Sequence, residues 1–231
     1  MLTILWDNDG VLVNTEGLYF RACQEVLGEV GIGLTREQFK EISLRRGEST
    51  LVLAAQRGIA ADEIARLRAA RDRRYAELLG SQSWAIDGAE DALRTLHGQV
   101  RMGVVTSSQR NHFETAHAST GLRRYLDFVL TREDYQHTKP HPEPYLTALA
   151  RYGLRPDDCL VVEDSERGLT AATAAGLACL MVRSEWTADE TFCRATQVLS
   201  SLREVPAAVQ QWAADQSSPA RMRRWSAGTS G

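Results

Sequence analysis

The sequence has few cysteines, and none lies in a metal-binding or disulfide pattern. Only four occur among 231 residues, with no CxxC pair and no histidine cluster at the spacing of zinc ligands. We interpret them as reduced, mostly buried thiols. They are Cys23, Cys159, Cys179 and Cys193.

Long hydrophobic runs and a basic leader are also missing. The chain opens on a short apolar run and reaches Asp7 at once, and no segment approaches the length of a membrane span. A formal net charge of −3 and a pI near 6.0 provide no general attraction to nucleic acid or to an anionic membrane. We therefore expect a cytoplasmic protein, monomeric or weakly homodimeric, that binds a small metabolite rather than nucleic acid or membrane.

What the sequence does contain is a series of short apolar runs with helix-like segments between most of them. Strands that alternate with helices imply right-handed crossovers and a mostly parallel sheet covered on both faces. The sequence therefore predicts an α/β fold with a doubly wound sheet. The apolar runs are Leu2 to Trp6, Val100 to Thr106, Phe128 to Leu130, Cys159 to Val162 and Leu177 to Val182.

A long stretch between the first two predicted strands has no strand pattern. Its apolar residues recur at spacings of three and four, which is typical of amphipathic helices. Nearly seventy residues exceed what one crossover needs, so we predict a separate helical cap at 16–83 inserted into a core formed by 1–15 and 84–215. The alternative is that these helices merely cover the sheet. The small, polar and basic segment 216–231 is predicted to be a flexible tail.

Polar residues follow the predicted strands at the edge where a doubly wound sheet binds ligands. Acids, hydroxyls and one lysine would converge there. Taken alone, each motif is more often structural: a turn, a helix N-cap, or charge placed on a helix dipole. The groups are Asp7 and Asp9, Thr106 to Ser108, Lys139 in its loop, and Glu163 to Ser165.

Several carboxylates this close together repel one another unless a cation lies between them, and hard oxygen ligands suit Mg²⁺. Asp7, Asp164 and a carbonyl near Asp9 are the expected ligands. A carboxylate can attack phosphorus and split phosphoryl transfer into two steps. We predict that Asp7 attacks phosphorus and that Lys139 neutralises phosphate charge. Asp9 is predicted to protonate the leaving oxygen and then to remove a proton from the attacking water.

These motifs resemble those of the haloacid dehalogenase superfamily, in particular the subgroup with a helical cap that includes sugar-phosphate phosphatases and β-phosphoglucomutases. The similarity spans about residues 1 to 200. The four matching segments are Asp7 to Glu16, Val104 to Ser108, Lys139 to Tyr145 and Val161 to Gly168.

The resemblance implies that Asp7 is the nucleophile and Asp9 the general acid and base. It also implies that Asp7, Asp9, Asp164 and Glu163 form the metal site, with Glu163 acting through water. Thr106, Ser107 and Lys139 are the implied phosphate-binding residues.

Several further positions are less constrained by the resemblance. Arg46, or Arg45 beside it, in a cap loop, could bind a second anionic group, and Arg110 could contact the phosphate, although these positions also suit solvated surface arginines. Asn14 departs from the family pattern, where Asp is common, and we expect an indirect effect on the site rather than a loss of activity.

We expect a phosphatase that acts on a small phosphomonoester rather than a phosphomutase of the β-phosphoglucomutase type, because the cap loop lacks a close match to the mutase cap signature. A non-catalytic binding module is a third reading.

Overall fold

The computed structural model describes residues 1–216, and these form a six-stranded, wholly parallel sheet with helices on both faces. The strand order is β3-β2-β1-β4-β5-β6. The predicted α/β class and doubly wound sheet are thereby confirmed. The strands are β1 (Thr3–Trp6), β2 (Arg101–Val105), β3 (Phe128–Leu130), β4 (Cys159–Glu163), β5 (Ala178–Val182) and β6 (Gln197–Leu199).

Strand β6 was not predicted from the sequence. It has only three residues at the edge of the sheet, and Gln197 and Val198 are exposed. An edge strand with a single buried residue, Leu199, has no continuous apolar run, so the pattern that identified the other strands is missing.

Alternating side chains of the strands pack into two separate cores. Ile4 and Trp6 of β1 face one core, while Leu5 faces the other. Helices α5, α6 and α9 contribute to the first core, and α7 and α8 to the second. Their bounds are α5 (Ala89–Leu96), α6 (Arg110–His117), α7 (Glu143–Tyr152), α8 (Glu166–Ala174) and α9 (Val205–Gln216).

The segment between β1 and β2 is helical, as predicted, and forms hydrophobic clusters of its own. Phe39, Leu51 and Leu67 are buried in the larger of these. That cluster also takes in Trp186, from the loop after β5, so one aromatic side chain of the core joins the cap. The helices are α1 (Glu16–Gly28), α2 (Arg36–Phe39), a π-helical turn (Lys40–Arg45), α3 (Val52–Gln56) and α4 (Ala61–Leu79).

The strand order determines where a ligand can bind. β1 pairs with both β2 and β4, and successive strands are added outward on opposite sides of it. The crevice at such a reversal of strand order, beyond the carboxyl ends of the strands, is the usual ligand site of open α/β sheets. Residues that follow β1 and β4 therefore share one rim.

No helix within residues 1–216 is long and apolar enough to cross a membrane. The predicted flexible tail lies outside the described residues except for Gln216, which ends α9.

Candidate active site

The loop after β1 places its acids against the end of β4. The Asp7 N–H donates to the carbonyl of Val162 (2.9 Å), which extends the strand pairing by one residue. Gly10 follows with φ +83°, and a Cβ there would overlap the carboxylates of Asp164 and Glu16. Only glycine permits both this backbone conformation and this close approach.

Lys139 lies in the middle of the site and is buried. Its ammonium donates to Asp7 Oδ1 (2.7 Å), to Glu163 Oε1 (2.7 Å) and to the carbonyl of Val105 (2.8 Å). An ammonium has three donors, and all three are used. The loop after β3 thereby brings one positive charge between the acids that follow β1 and end β4.

Both carboxylate oxygens of Glu163 accept hydrogen bonds from other groups of the protein. Its Oε1 also accepts from Tyr145, and its Oε2 accepts from the N–H groups of Asp164 and Ser165 and from the Ser165 hydroxyl, at 3.1 to 3.2 Å. Gly168, in the first turn of α8, makes room for this carboxylate, because a Cβ there would overlap it. Glu163 therefore orients Lys139 and the Asp164 loop.

Burial and mutual repulsion shift the pKa values of the acids in the site. Burial, followed by repulsion from Glu163, raises the pKa of Asp7 to about 7 despite the nearby Lys139. Burial and then repulsion from Glu16 raise the pKa of Asp164 well above its usual range. Burial opposes the charged form of Glu163, but Lys139 outweighs it and lowers the pKa of Glu163. One lysine does not balance this many buried carboxylates.

The residues present fit a hard divalent cation. Carboxylate oxygens of Asp7, Glu163 and Asp164 lie within 4.8 Å of one another. Within residues 1–216, the buried Oδ2 of Asp164 finds no hydrogen-bond donor. Because Glu163 is saturated by hydrogen bonds, Asp7 and Asp164 are the acids free to bind an ion directly. Direct coordination by Glu163 is not supported, which agrees with its implied role through water.

Asp9 faces hydroxyl groups rather than the other acids. Thr15 donates to Oδ1 (2.5 Å), while Ser108 (2.7 Å) and Thr106 (3.2 Å) donate to Oδ2. Its carboxylate is thereby held at the cleft surface with three donors. These hydroxyls belong to the segment after β2 and to the residue before α1.

The phosphate-binding residues predicted after β2 lie beside Asp7. The Thr106 N–H bonds to Leu130 of β3 and its carbonyl accepts from Tyr135, so its backbone is fixed. Ser107 lines the cleft, and its buried hydroxyl has no partner in the described part of the chain. The Ser107 hydroxyl is thus available to a ligand in the cleft that Asp7 also lines.

A cleft of about 470 Å³ opens above these residues, and its far wall is polar. Arg71 of α4 is buried; it forms two bonds to Asp72 Oδ1 (3.0 and 2.7 Å) and one to the Ser49 hydroxyl (3.2 Å). His112 of α6 also lines the wall, and no residue from 1 to 216 pairs with its buried Nε2. Tyr75 packs edge-on against the His112 ring.

Two predicted phosphate contacts are not placed in this cleft. Arg46 is exposed and lies 3.5 Å from Glu48 and 3.9 Å from Glu41. The chain is helical up to Arg45 and turns at Gly47 (φ +70°), which directs Gly47 to Ser49 into the cleft. The expectation for Arg46 is therefore not supported by its position.

The Arg110 guanidinium, at the start of α6, is half-exposed and bonds to Asp134 (2.9 Å), outside the cleft lining. The acidic turn after β3 holds it there. The Asn14 side chain is exposed and is likewise not among the cleft-lining residues.

Sequence reasoning missed three residues that line the cleft. Glu16 begins α1, and burial followed by repulsion from Asp9 raises its pKa to about 8. Arg71 and His112 are brought together from cap and core. The position of Glu16 within the first motif was a usable signal, whereas nothing in the local pattern separates Arg71 from the exposed arginines of α4.

The chain is similar to known phosphatases along most of its length. It is 30% identical over 185 residues to the fructose-1-phosphate phosphatase YqaB of Escherichia coli (strain K12), covering 78% of this chain and 95% of the relative. It is also 30% identical over 205 residues to the validoxylamine A 7'-phosphate phosphatase of Streptomyces hygroscopicus subsp. limoneus, covering 87% and 94%.

A solved structure is similar in both sequence and fold. CbbY from Rhodobacter sphaeroides, in complex with xylulose-(1,5)bisphosphate, has a TM-score of 0.77 and 26% identity, covering 88% of this chain and 96% of that one. Residues 4–182 match the sequence model of the family described as haloacid dehalogenase-like hydrolase. This match includes β1 to β5 and every acid of the site, and the chain therefore belongs to the haloacid dehalogenase-like hydrolases.

Proposed function

We propose that this protein is a Mg²⁺-dependent phosphatase that hydrolyses a sugar phosphate-like monoester through a phosphorylated Asp7. The observation that carries the proposal is the arrangement of Asp7, Lys139 and Asp164. One carboxylate is held by a buried ammonium, and beside it lies a second whose Oδ2 is buried without a partner in the described residues.

Asp7 and Asp164 would hold Mg²⁺, with a backbone carbonyl near Asp9 as a third proposed ligand. When bound, the ion would neutralise phosphate oxygens and the excess negative charge of the site. Glu163 would contribute by fixing Lys139 and the backbone of the Asp164 loop.

In the first step Asp7 attacks phosphorus, and the bond from phosphorus to the ester oxygen breaks. Lys139 directs the Asp7 carboxylate and offsets its charge. Asp9 donates a proton to the departing oxygen. Its present partners, Thr15 and Ser108, are hydroxyls that can bond to either form of the carboxyl group, so a change of protonation leaves them satisfied.

In the second step a water molecule attacks the phosphorus of phospho-Asp7. Asp9, now a carboxylate, removes its proton, and the bond between Asp7 and phosphorus breaks to release phosphate. Ser107 and the N–H groups of its loop are the proposed partners of the remaining phosphate oxygens, with the N-terminus of α6 close by. Thr106 contributes through its fixed backbone and its hydroxyl.

The far wall of the cleft favours a hydroxylated leaving group. Arg71 is already paired with Asp72, which offsets its charge, so the pair offers both donors and acceptors, and Arg68 of α4 also lines the cleft. His112 adds an unpaired ring nitrogen. Hydroxyl groups of a sugar can satisfy both kinds of group, and the relatives named for fructose 1-phosphate and validoxylamine 7'-phosphate support this class.

We further propose that 16–83 acts as the cap that covers this cleft, on a core of 1–15 and 84–215. Trp186 supports this arrangement, because it packs against Phe39 of the cap (ring centroids 5.3 Å apart) and under the Arg36 guanidinium (3.8 Å). Lys40 adds an ion pair to Asp189 (2.7 Å). These contacts would hold the cap over the cleft, where it would exclude bulk water.

The test is to incubate the protein with Mg²⁺ and a panel of sugar phosphates, phosphoglycolate and nucleotides, measuring both phosphate release and isomer formation. Asp7→Asn should lose phosphate release, while Asp62→Asn, an exposed acid of α4, should retain it. Isomerisation without release would instead establish a mutase. Activity that survives in Asp7→Asn would refute the mechanism, and absence of turnover in the wild type would favour a binding protein.

A further inference from the structure

A second group of metal-ligating side chains lies on the surface, outside the cleft lining. It consists of His137, His141 and Glu143, which we call the His-His-Glu cluster. Its two histidines do have the spacing of zinc ligands, which corrects the expectation from the sequence that no histidine cluster has it. One ligand atom from each residue lies within 4.8 Å of the other two. The His137 and His141 rings face each other with centroids 4.6 Å apart and an interplanar angle of 35°.

Glu143 is fixed and charged at the centre of this cluster. Its Oε1 accepts from the Gln136 N–H (2.8 Å), and its Oε2 accepts from the His137 N–H (2.9 Å) and from His137 Nδ1 (2.6 Å). The Gln136 N–H bond, followed by the His137 N–H bond, lowers the pKa of Glu143 to about 2. The carboxylate is therefore ionised and already oriented when a cation arrives.

His141 completes the set from the other side. Its Nδ1 lies 3.9 Å from Glu143 Oε2 and accepts from the Glu143 N–H (3.2 Å), so this nitrogen carries a lone pair, and an ion that binds it would replace the hydrogen bond from Glu143. Both imidazoles are exposed, so an ion can reach them without any opening of the fold.

The donor set selects a class of metal different from that of the cleft. Two imidazole nitrogens and one carboxylate oxygen suit borderline transition ions such as Zn²⁺, whereas Mg²⁺ prefers oxygen ligands alone. Three protein ligands leave one tetrahedral position for water.

We propose that the His-His-Glu cluster is a Zn²⁺ site that clamps the loop carrying Lys139. His137 and His141 lie two residues before and after Lys139, so an ion held by both would tie the ends of this loop together. On binding, the proton now between His137 Nδ1 and Glu143 moves to Nε2 of the same ring, and Nδ1 becomes a ligand. Metal binding here adds stability to the folded state.

The test is calorimetric titration of the whole protein with Zn²⁺ in excess Mg²⁺, which occupies the acidic cleft. The wild type should bind one more Zn²⁺ than either His137→Ala or His141→Ala. At the His-His-Glu cluster each variant should bind Zn²⁺ with an affinity lower by about tenfold or more. His97→Ala removes an exposed histidine elsewhere and should behave as the wild type. Thermal unfolding should show a Zn²⁺-dependent rise in Tm in the wild type and His97→Ala only.

Co²⁺ gives an independent readout, because its visible absorption reports nitrogen ligation. Equal Zn²⁺ stoichiometry and affinity in all four proteins, or no Zn²⁺ binding by the wild type, would overturn the proposal. Neither outcome bears on phosphatase activity, which Asp7→Asn tests separately. Circular dichroism of the metal-free variants checks that their fold is intact.

Discussion

Gly168 lies so close to the Glu163 carboxylate that any side chain at position 168 would overlap it. The contact joins the first turn of α8 to the last residue of β4. It allows Glu163 to reach Lys139 while its other oxygen bonds to the loop of Asp164. The absence of a side chain at Gly168 therefore allows Glu163 to hold both Lys139 and the loop of Asp164 in place.

Gly168→Ala should displace the Glu163 carboxylate and lower the free energy of unfolding by about 3 kcal/mol. Phosphatase activity should fall with it, since Lys139 loses an acceptor. The matched control is Gly17→Ala, also in the first turn of a helix but with open space around its Cα. That change should be neutral or stabilise by up to about 1 kcal/mol. Urea unfolding measures both, and equal stabilities would contradict the steric argument.

Asp164→Asn should abolish the stabilisation by Mg²⁺ while the metal-free protein stays folded. Burial and the neighbouring acids disfavour the charged form of Asp164, and a neutral Asn removes this cost, so we expect the metal-free protein to become more stable by about 1 to 3 kcal/mol. The rise in Tm that Mg²⁺ causes in the wild type should vanish. Differential scanning calorimetry with and without Mg²⁺ measures this, and an unchanged Mg²⁺ effect would remove Asp164 from the ligand set.

Arg71, rather than Arg46 or Arg110, should determine affinity for a hydroxylated substrate. Loss of its guanidinium in Arg71→Ala should raise KM for a sugar phosphate about tenfold, since a buried hydrogen bond is worth about 1 kcal/mol or more. KM for phenyl phosphate should change less, because that leaving group has no hydroxyls. Arg46→Ala and Arg110→Ala, both solvent-facing, should stay within about twofold.

Arg71→Lys provides a check on folding in this series, because it keeps a positive charge beside Asp72. It should unfold at nearly the wild-type temperature and still bind the sugar phosphate weakly. The same rise in KM for both substrates in Arg71→Ala would indicate a general loss of structure.

His117 should make stability fall in acid. Its Nε2–H donates to Asn8 Oδ1 (2.7 Å), and burial lowers its pKa from 6.5 to about 4. Between these values the unfolded chain binds a proton that the folded protein does not, so stability decreases as pH falls through this range. From pH 7.5 to 5 the contribution of His117 to stability should fall by about 2 kcal/mol, while Asp7 and Glu16, whose pKa values are raised, contribute in the opposite direction.

His117→Gln should remove this part of the pH dependence, while His97→Gln, at an exposed position, should keep it. Urea unfolding at the two pH values measures the difference between the variants. A slope in His117→Gln as steep as in the wild type would assign the acid sensitivity to other groups.

The main features of the site could be predicted from local pattern. Asp7, Asp9, Lys139 and Asp164 each follow or lie near an apolar run, and parallel strands bring such residues to one rim whatever the details of packing. The arginines could not be assigned in this way. Arg46 and Arg71 are both cap arginines, and only the turn at Gly47 and the packing of α4 decide that Arg71 faces the cleft.

The sequence by itself determined the alternation of strands β1 to β5 with helices, the helical insertion and the acids with their lysine, because periodicity and strand ends are local properties. The tertiary structure decided the rest. It brings Lys139 and Tyr145 to Glu163, leaves Asp164 Oδ2 unpaired within the described residues, and joins Trp186 to the cap. These are contacts between segments distant in the chain, and distances across the fold follow from packing, which no local spacing encodes.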